Sequence, residues 1–158
     1  MSKKKVIKKV LLVLLVLAIA GGAYGAWLYF QPHRDVQSTE TDYALNASEI
    51  VNEYLKDKDA ANAKYLDNEG ESKVLEIEGQ VYDVSEDFNG NTVILLKTET
   101  AKAGVKVSFT EETSAEAKQL ERGSVVTIKG VIRSGATYDE DLEMYEHVIV
   151  EKSKVTKK

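Results

Sequence analysis

The pattern of apolar and polar positions changes period twice along the chain. Val10 begins, and Phe30 ends, a run of 21 residues without a charge, VLLVLLVLAIAGGAYGAWLYF. As a helix this run is about 31 Å long, matching a bilayer core of roughly 30 Å, so it predicts one membrane-spanning segment. A polar stretch with the only proline, Pro32, follows over residues 31–42 and has no apolar period; it reads as a linker. The period then becomes helical. Leu45-Asn46-Ala47-Ser48-Glu49-Ile50 is a capping-box start, with Asn46 as N-cap, Glu49 reaching back and Leu45 stapling Ile50. Ile50, Val51, Tyr54 and Leu55 continue it as an apolar stripe to about Lys56. A second start at Asp59 predicts one or two further turns to Leu66.

From Val74 the period is two. Leu75, Ile77, Gly79 and Val81 share one face and Glu76, Glu78 and Gln80 the other, the signature of a half-buried strand. Asn89-Gly90 supplies the left-handed residues of a hairpin into a strand over residues 92–98. Val105, Val107 and Phe109 form a third strand. Thr113 to Glu116 is a capping box that opens a short helix closing at Gly123. Residues 125–132 resume the alternation, and after a loop over residues 133–141 a last strand lies around Met144 to Val150. The order β-β-β-α-β-β predicts a mainly β fold, a five-stranded Greek-key barrel of the OB type, with two short N-terminal helices and one transmembrane helix before it. Gly79 and Gly130 take equivalent places in the first and fourth strands, where glycine lets a strand coil sharply.

Charge sharpens the division. Five lysines precede the apolar run and Trp27, Tyr29 and Phe30 end it, which places the N-terminus in the cytoplasm and the remainder outside a bacterial cytoplasmic membrane. Ala18-Ile19-Ala20 also fits a signal-peptide cleavage site. The run continues ten residues further into aromatics, which favours an uncleaved anchor. The expected organisation is a basic tail over residues 1–9, an anchor over 10–30, a linker over 31–42, the barrel domain over 43–155 and a basic tail over 156–158. From Asp35 onward 15 basic side chains face 26 acidic ones, a balance that opposes general binding of polyanions. There is no cysteine, so disulfides, thiolate metal sites and cysteine nucleophiles are excluded.

At residues 61–66 (ANAKYL), at LEIEGQV from Leu75 and at VVTIKGVI from Val125, the chain resembles the tRNA_anti-like family of bacterial OB-fold envelope proteins. The linker residues Pro32-His33-Arg34-Asp35-Val36 also look like those of anchored members. The resemblance covers residues 43–155. It implies the OB fold and no catalytic residues.

OB barrels bind ligands across their second and third strands, between the loops that join strands one to two and four to five. Tyr82, Phe88, Tyr138 and Tyr145 are the candidate stacking platforms, and Lys97, Lys106, Lys129 and Arg133 the candidate anion contacts. Acidic residues crowd both loops, Asp83, Glu86 and Asp87 in the first and Asp139 to Glu143 in the second, and they repel phosphate. The second run lacks the glycine-containing spacing of an EF-hand. His33 and His147 have no histidine neighbour for a zinc site. No serine–histidine pair, Walker loop or dinucleotide loop has usable spacing, so no cofactor and no catalytic residue is assigned. The resulting expectation is a non-catalytic binding or scaffold module with an envelope protein, peptide or glycan as partner. A single-stranded nucleic-acid-binding domain is the alternative, and an undetected hydrolase the third reading.

Overall fold

A computed structural model describes residues 3–30 and 35–158. It divides into two units, residues 1–35 and Val36–Lys158. Pro32, His33 and Arg34 lie outside the described residues. The first unit is the helix α1, Lys3–Tyr29, 27 residues long. It starts within the basic tail rather than at Val10, because lysine propagates a helix nearly as well as leucine. Of this helix, Lys5–Tyr29 is long and apolar enough to cross a membrane.

The second unit begins with a segment that departs from the sequence expectation. Val36 is buried against Val74 and Val131. The Lys154 ammonium donates to the Gln37 carbonyl at 3.2 Å, and Lys129 donates to the carbonyls of Gln37 and Thr39. The Asp42 carboxylate accepts the Val74 N–H at 2.8 Å. Residues 36–42 are therefore a strap on the barrel surface, not free linker. The strand β1, Tyr43–Asn46, follows and pairs parallel to the start of β2, Val74–Glu86, with Tyr43 opposite Leu75. This strand was not expected, since its four residues also carry the cap of the next helix.

The helix α2, Ala47–Lys56, starts as its capping box requires, the Glu49 carboxylate accepting the Asn46 N–H at 2.6 Å. For α3, Lys58–Tyr65, the cap is Asp57 rather than Asp59, its carboxylate accepting the Ala60 N–H at 3.0 Å. Both helices bury one face, through Ile50, Val51 and Tyr54 on α2 and Ala61 and Tyr65 on α3.

The barrel strands are β2, β3 (Thr92–Leu96), β4 (Val105–Phe109), β5 (Val125–Ser134) and β8 (Val148–Lys157). They run in the order β2-β3-β4-β8-β5, and β5 pairs back with β2 to close the sheet. Only β4 and β8 are parallel within the ring. That connectivity is the OB fold. The 13-residue β2 makes closure possible: Val74 to Gln80 pair with β5 and Val81 to Glu86 with β3, so one strand serves two ladders. The register slips between Val81 and Asp83, leaving Tyr82 as a bulge. Gly130 lies opposite Leu75 where a Cβ would meet Val150 Cγ1 at 2.6 Å, so glycine admits β8 to its partner. Inside, Ile77, Ile94, Leu96, Ile128 and Ile132 are fully buried; each stabilises the fold by ~1.5–3 kcal/mol relative to exposure.

The barrel end is plugged by α4, Glu111–Ala117, with Ala117 fully buried. Its N-cap is Thr110, not Thr113. Thr113 is the third helical residue, and its hydroxyl accepts the Thr110 N–H at 3.0 Å and donates to the Ser153 carbonyl at 2.7 Å. The β2–β3 turn is a five-residue loop, not a two-residue one. Asp87 organises it by accepting the N–H groups of Asn89 and Asn91 at 2.8 and 2.9 Å, and only Gly90 there is left-handed, with φ of 82°. The loop after β5 contains a two-stranded ribbon, β6 (Thr137–Asp139) and β7 (Met144–Glu146). The last barrel strand consequently starts at Val148 and runs through the expected tail to Lys157.

Candidate ligand face

The OB ligand surface corresponds to the outer side of β3 and β4. Alternation puts Ile94, Leu96, Val105 and Val107 into the core and leaves Leu95 opposite Lys106 on the outer side, where Val93, opposite Ser108, is itself buried. Lys106 is exposed there. None of these outward residues is aromatic, so any stacking must come from the flanks.

One flank supplies it. The loop over residues 97–104 joins β3 to β4, and the Lys97 ammonium rests 4.7 Å above the Tyr82 ring that the β2 bulge leaves exposed. From the same loop Lys102 lies 5.5 Å from the Tyr145 ring, which packs on Tyr138 across the β6–β7 ribbon at 4.9 Å and 55°. Cation–π contacts of this kind hold a lysine head in place without neutralising it. His147 joins the ribbon to β8, and its Nδ1 accepts the Gly104 N–H at 3.0 Å. That bond needs the neutral ring with the proton on Nε2. Burial, followed by the charges of Lys97 and Lys106, holds the His147 pKa below its usual value.

The structure thus gathers Tyr82, Lys97, Lys106, Tyr138 and Tyr145 around the 97–104 end of β3 and β4. It does not bring Phe88 or Arg133 to them. Phe88 is fully exposed on the Asp87–Asn91 loop at the other end of β3, where Thr92 is tied to Ser114 of α4. Arg133 is paired with Glu151 at 3.0 Å. Lys129 is committed to the strap carbonyls, so it is not free for an anion as the sequence reading had it.

Three contributors were missed. Lys102 sits in a loop with no sequence feature that marks it as part of the face. Tyr54 and Lys58 line a cavity of about 390 Å³ together with Leu55, Lys102, Thr137, Tyr138 and Tyr145. The apolar stripe on α2 contains Tyr54, but a stripe does not reveal which neighbour it meets. A second, polar cleft of about 620 Å³ is lined by Tyr82, Lys97, Glu99, Thr100 and Arg122, and Arg122 is paired there with Asp83. The acidic ribbon turn is used internally, since Asp139 accepts the N–H groups of Asp141 and Leu142, each at 2.9 Å. Among the described residues no group of three or more histidine, aspartate or glutamate side chains could hold a metal ion.

A closed five-strand barrel with a basic and aromatic flank beside its outer β3–β4 face defines an OB-fold domain. The chain belongs to the tRNA_anti-like family, whose model matches residues 1–140. Among solved structures it is similar to a lipoprotein of Klebsiella pneumoniae subsp. pneumoniae MGH 78578 to which nucleic-acid binding is ascribed. The TM-score is 0.52 at 19% identity, covering 80% of this chain and 100% of that one. At that identity the likeness concerns the fold alone. No curated protein matches the chain.

Proposed function

We propose that the chain is a non-catalytic binding module of the bacterial cell envelope. In this reading α1 stays uncleaved in the cytoplasmic membrane, the basic residues 1–9 face the cytoplasm and the OB domain is displayed outside to a protein, peptide or glycan. The observation that carries the reading is α1, whose apolar side chains from Val10 to Tyr29 are all exposed. An uncovered apolar surface of this length calls for lipid, and flanking lysines stay on the cytoplasmic side.

The absence of cysteine makes the test direct. Asn68→Cys, in an exposed turn, is expected to react with a membrane-impermeant maleimide in cells whose cytoplasmic membrane is intact, and Lys5→Cys only after permeabilisation. The reverse pattern refutes the orientation, and a mature chain beginning at Gly21 refutes the anchor.

A second reading, single-stranded nucleic-acid binding, draws on the cluster of Lys97, Lys102 and Lys106 beside Tyr82 and Tyr145 and on the description of the Klebsiella lipoprotein. The acidic balance of the domain opposes it. Retention on single-stranded DNA or RNA at low salt, falling steeply as salt rises, is its signature, because phosphate contacts release counterions. No retention at low salt eliminates it.

A further inference from the structure

We infer that the β6–β7 ribbon is a docking site for a basic and apolar segment of another envelope protein, taken up in extended form along β7; the inference deepens the binding-module reading and rests on it.

The first observation is an apolar group. Seven large apolar side chains are exposed in the second unit, and three of them, Tyr138, Leu142 and Met144, lie on the ribbon. Scattered single residues of this kind are ordinary, whereas several on one small element mark an interaction surface. Residues directly opposite one another in an antiparallel pair share a face. Tyr138 and Tyr145 therefore hold one face, where Lys102 already rests, and Asp139 and Met144 hold the other together with Glu146. Leu142, 66% exposed, stands in the turn between the strands. This tip is held in shape before any partner arrives. The Asp139 carboxylate fixes the turn by accepting the N–H groups of Asp141 and Leu142, and the tyrosine contact fixes the strands, so docking costs little ordering.

The second observation is a free edge. β7 pairs only with β6, and among the described residues no backbone hydrogen bond ties Met144, Tyr145 or Glu146 to another strand. β6 lies beside α2, which leaves β7 as the edge that a further strand can join. Three residues accept only a short addition. Most of the affinity must then come from side chains packed on Leu142 and Met144.

Charge selects the occupant. Glu140, Asp141, Glu143 and Glu146 surround the two aliphatic residues, and none of these acids makes an ion pair among the described residues. No lysine or arginine occurs from Ser134 to Glu151. Such an edge repels a second copy of itself, an anionic bilayer and a nucleic acid alike. A segment in which lysines or arginines stand beside apolar residues satisfies both features, its apolar side chains covering Leu142 and Met144 and its cations reaching the acids.

The chain has two methionines, Met1 and Met144, so a methyl signal reports on the site itself. The full-length chain, labelled with carbon-13 at the methionine methyl groups and held in non-ionic micelles, is titrated with an octapeptide alternating lysine and valine. The Met144 signal is expected to shift saturably while the Met1 signal stays fixed. Octa-lysine, an octapeptide alternating glutamate and valine, and the lysine–valine composition reordered to a helical period should each bind at least about 3-fold more weakly. Leu142→Ser should weaken the alternating lysine–valine peptide at least about 5-fold. Glu140→Gln combined with Glu143→Gln should weaken it at least about 3-fold. Glu69→Gln combined with Glu71→Gln removes the same charge at two exposed positions after α3 and should change nothing. All these positions are exposed, so the melting temperature should stay at the parent value. Equal weakening by the two glutamine pairs makes the attraction a matter of net charge and overturns the site, as does equal binding of octa-lysine. Equal binding of the reordered peptide overturns the extended mode. A Met144 shift produced by concentrating the chain alone, or by adding phosphatidylglycerol, assigns the surface to a second copy or to lipid and overturns the protein partner. No Met144 shift with any peptide, while Asn68→Cys is labelled from outside, overturns this inference alone. Only the reversed labelling pattern counts against the module.

Discussion

Gly104 is where the candidate face and the barrel constrain one another most tightly. It opens β4 at the end of the 97–104 loop, donates its N–H to His147 and accepts the Val148 N–H at 3.0 Å through its carbonyl. A Cβ placed there would stand 2.5 Å from the Leu96 carbonyl oxygen and 2.6 Å from Lys97 Cβ. Neither neighbour can rotate away, because one is backbone and the other is fixed directly to it. Two effects compete in Gly104→Ala. Restricting the unfolded chain favours the folded state by ~0.4–1 kcal/mol, and overpacking opposes it by ~1–3 kcal/mol, with rigid neighbours at the upper end. The net expectation is a loss of ~2 kcal/mol, which lowers the melting temperature of a domain this size by roughly 6–10 °C. Circular dichroism melts of the Val36–Lys158 domain measure it. Gly79→Ala is the internal comparison, since its Cβ would meet only side-chain carbons, Ala47 Cβ at 3.0 Å and Leu96 Cβ at 3.1 Å. These are fixed to backbone as well, but the overlap is shallower and needs a shift of only a few tenths of an ångström, so the cost should be about 1 kcal/mol. A Gly104→Ala domain that melts at or above the parent temperature refutes the close approach of the loop to β3.

The strap gives a second prediction: Lys129→Met removes the donor to the carbonyls of Gln37 and Thr39. It should cost ~1–2 kcal/mol, with faster amide exchange confined to residues 36–42 and their partners. The third concerns pH. His147 has a lowered pKa in the folded domain, so below its ordinary value near 6.5 the unfolded chain binds a proton that the folded one refuses. Stability should fall as pH drops from about 6.5 toward the folded pKa, and His147→Gln should flatten that slope in urea titrations; an unchanged slope means His147 is not the group responsible.

Much of the barrel was legible because its strands are buried on one face and alternate accordingly, as in Val105, Val107 and Phe109. What escaped notice was short or paired across long separations. The four residues of β1 are a strand only because β2 lies beside them. The three-residue strands β6 and β7 are joined through Tyr138 and Tyr145, which the sequence placed apart, one in a loop and one in the expected last strand. Local capping signals were also ambiguous: Asp57 and Asp59, and Thr110 and Thr113, compete for the same helix starts, and the side-chain bonds decide. The candidate face was legible in its residues but not in its grouping. Lysines 97, 102, 106 and 129 look alike in sequence, yet two sit on tyrosine rings, one is exposed on the strand face and one clamps the strap.

The strand β8 completes the ring from both sides, pairing with β4 along one edge and β5 along the other. Synthesis runs from the N-terminus, so the apolar helix is made before the barrel and the sealing strand after the other barrel strands. Until Val148 to Lys157 exist, the sheet has two open edges, the condition in which strands recruit foreign partners. On the proposed topology the domain reaches the far side of the membrane as an unsealed chain. Its closure is then a timed event, and any chaperone of that compartment would find its substrate at those edges.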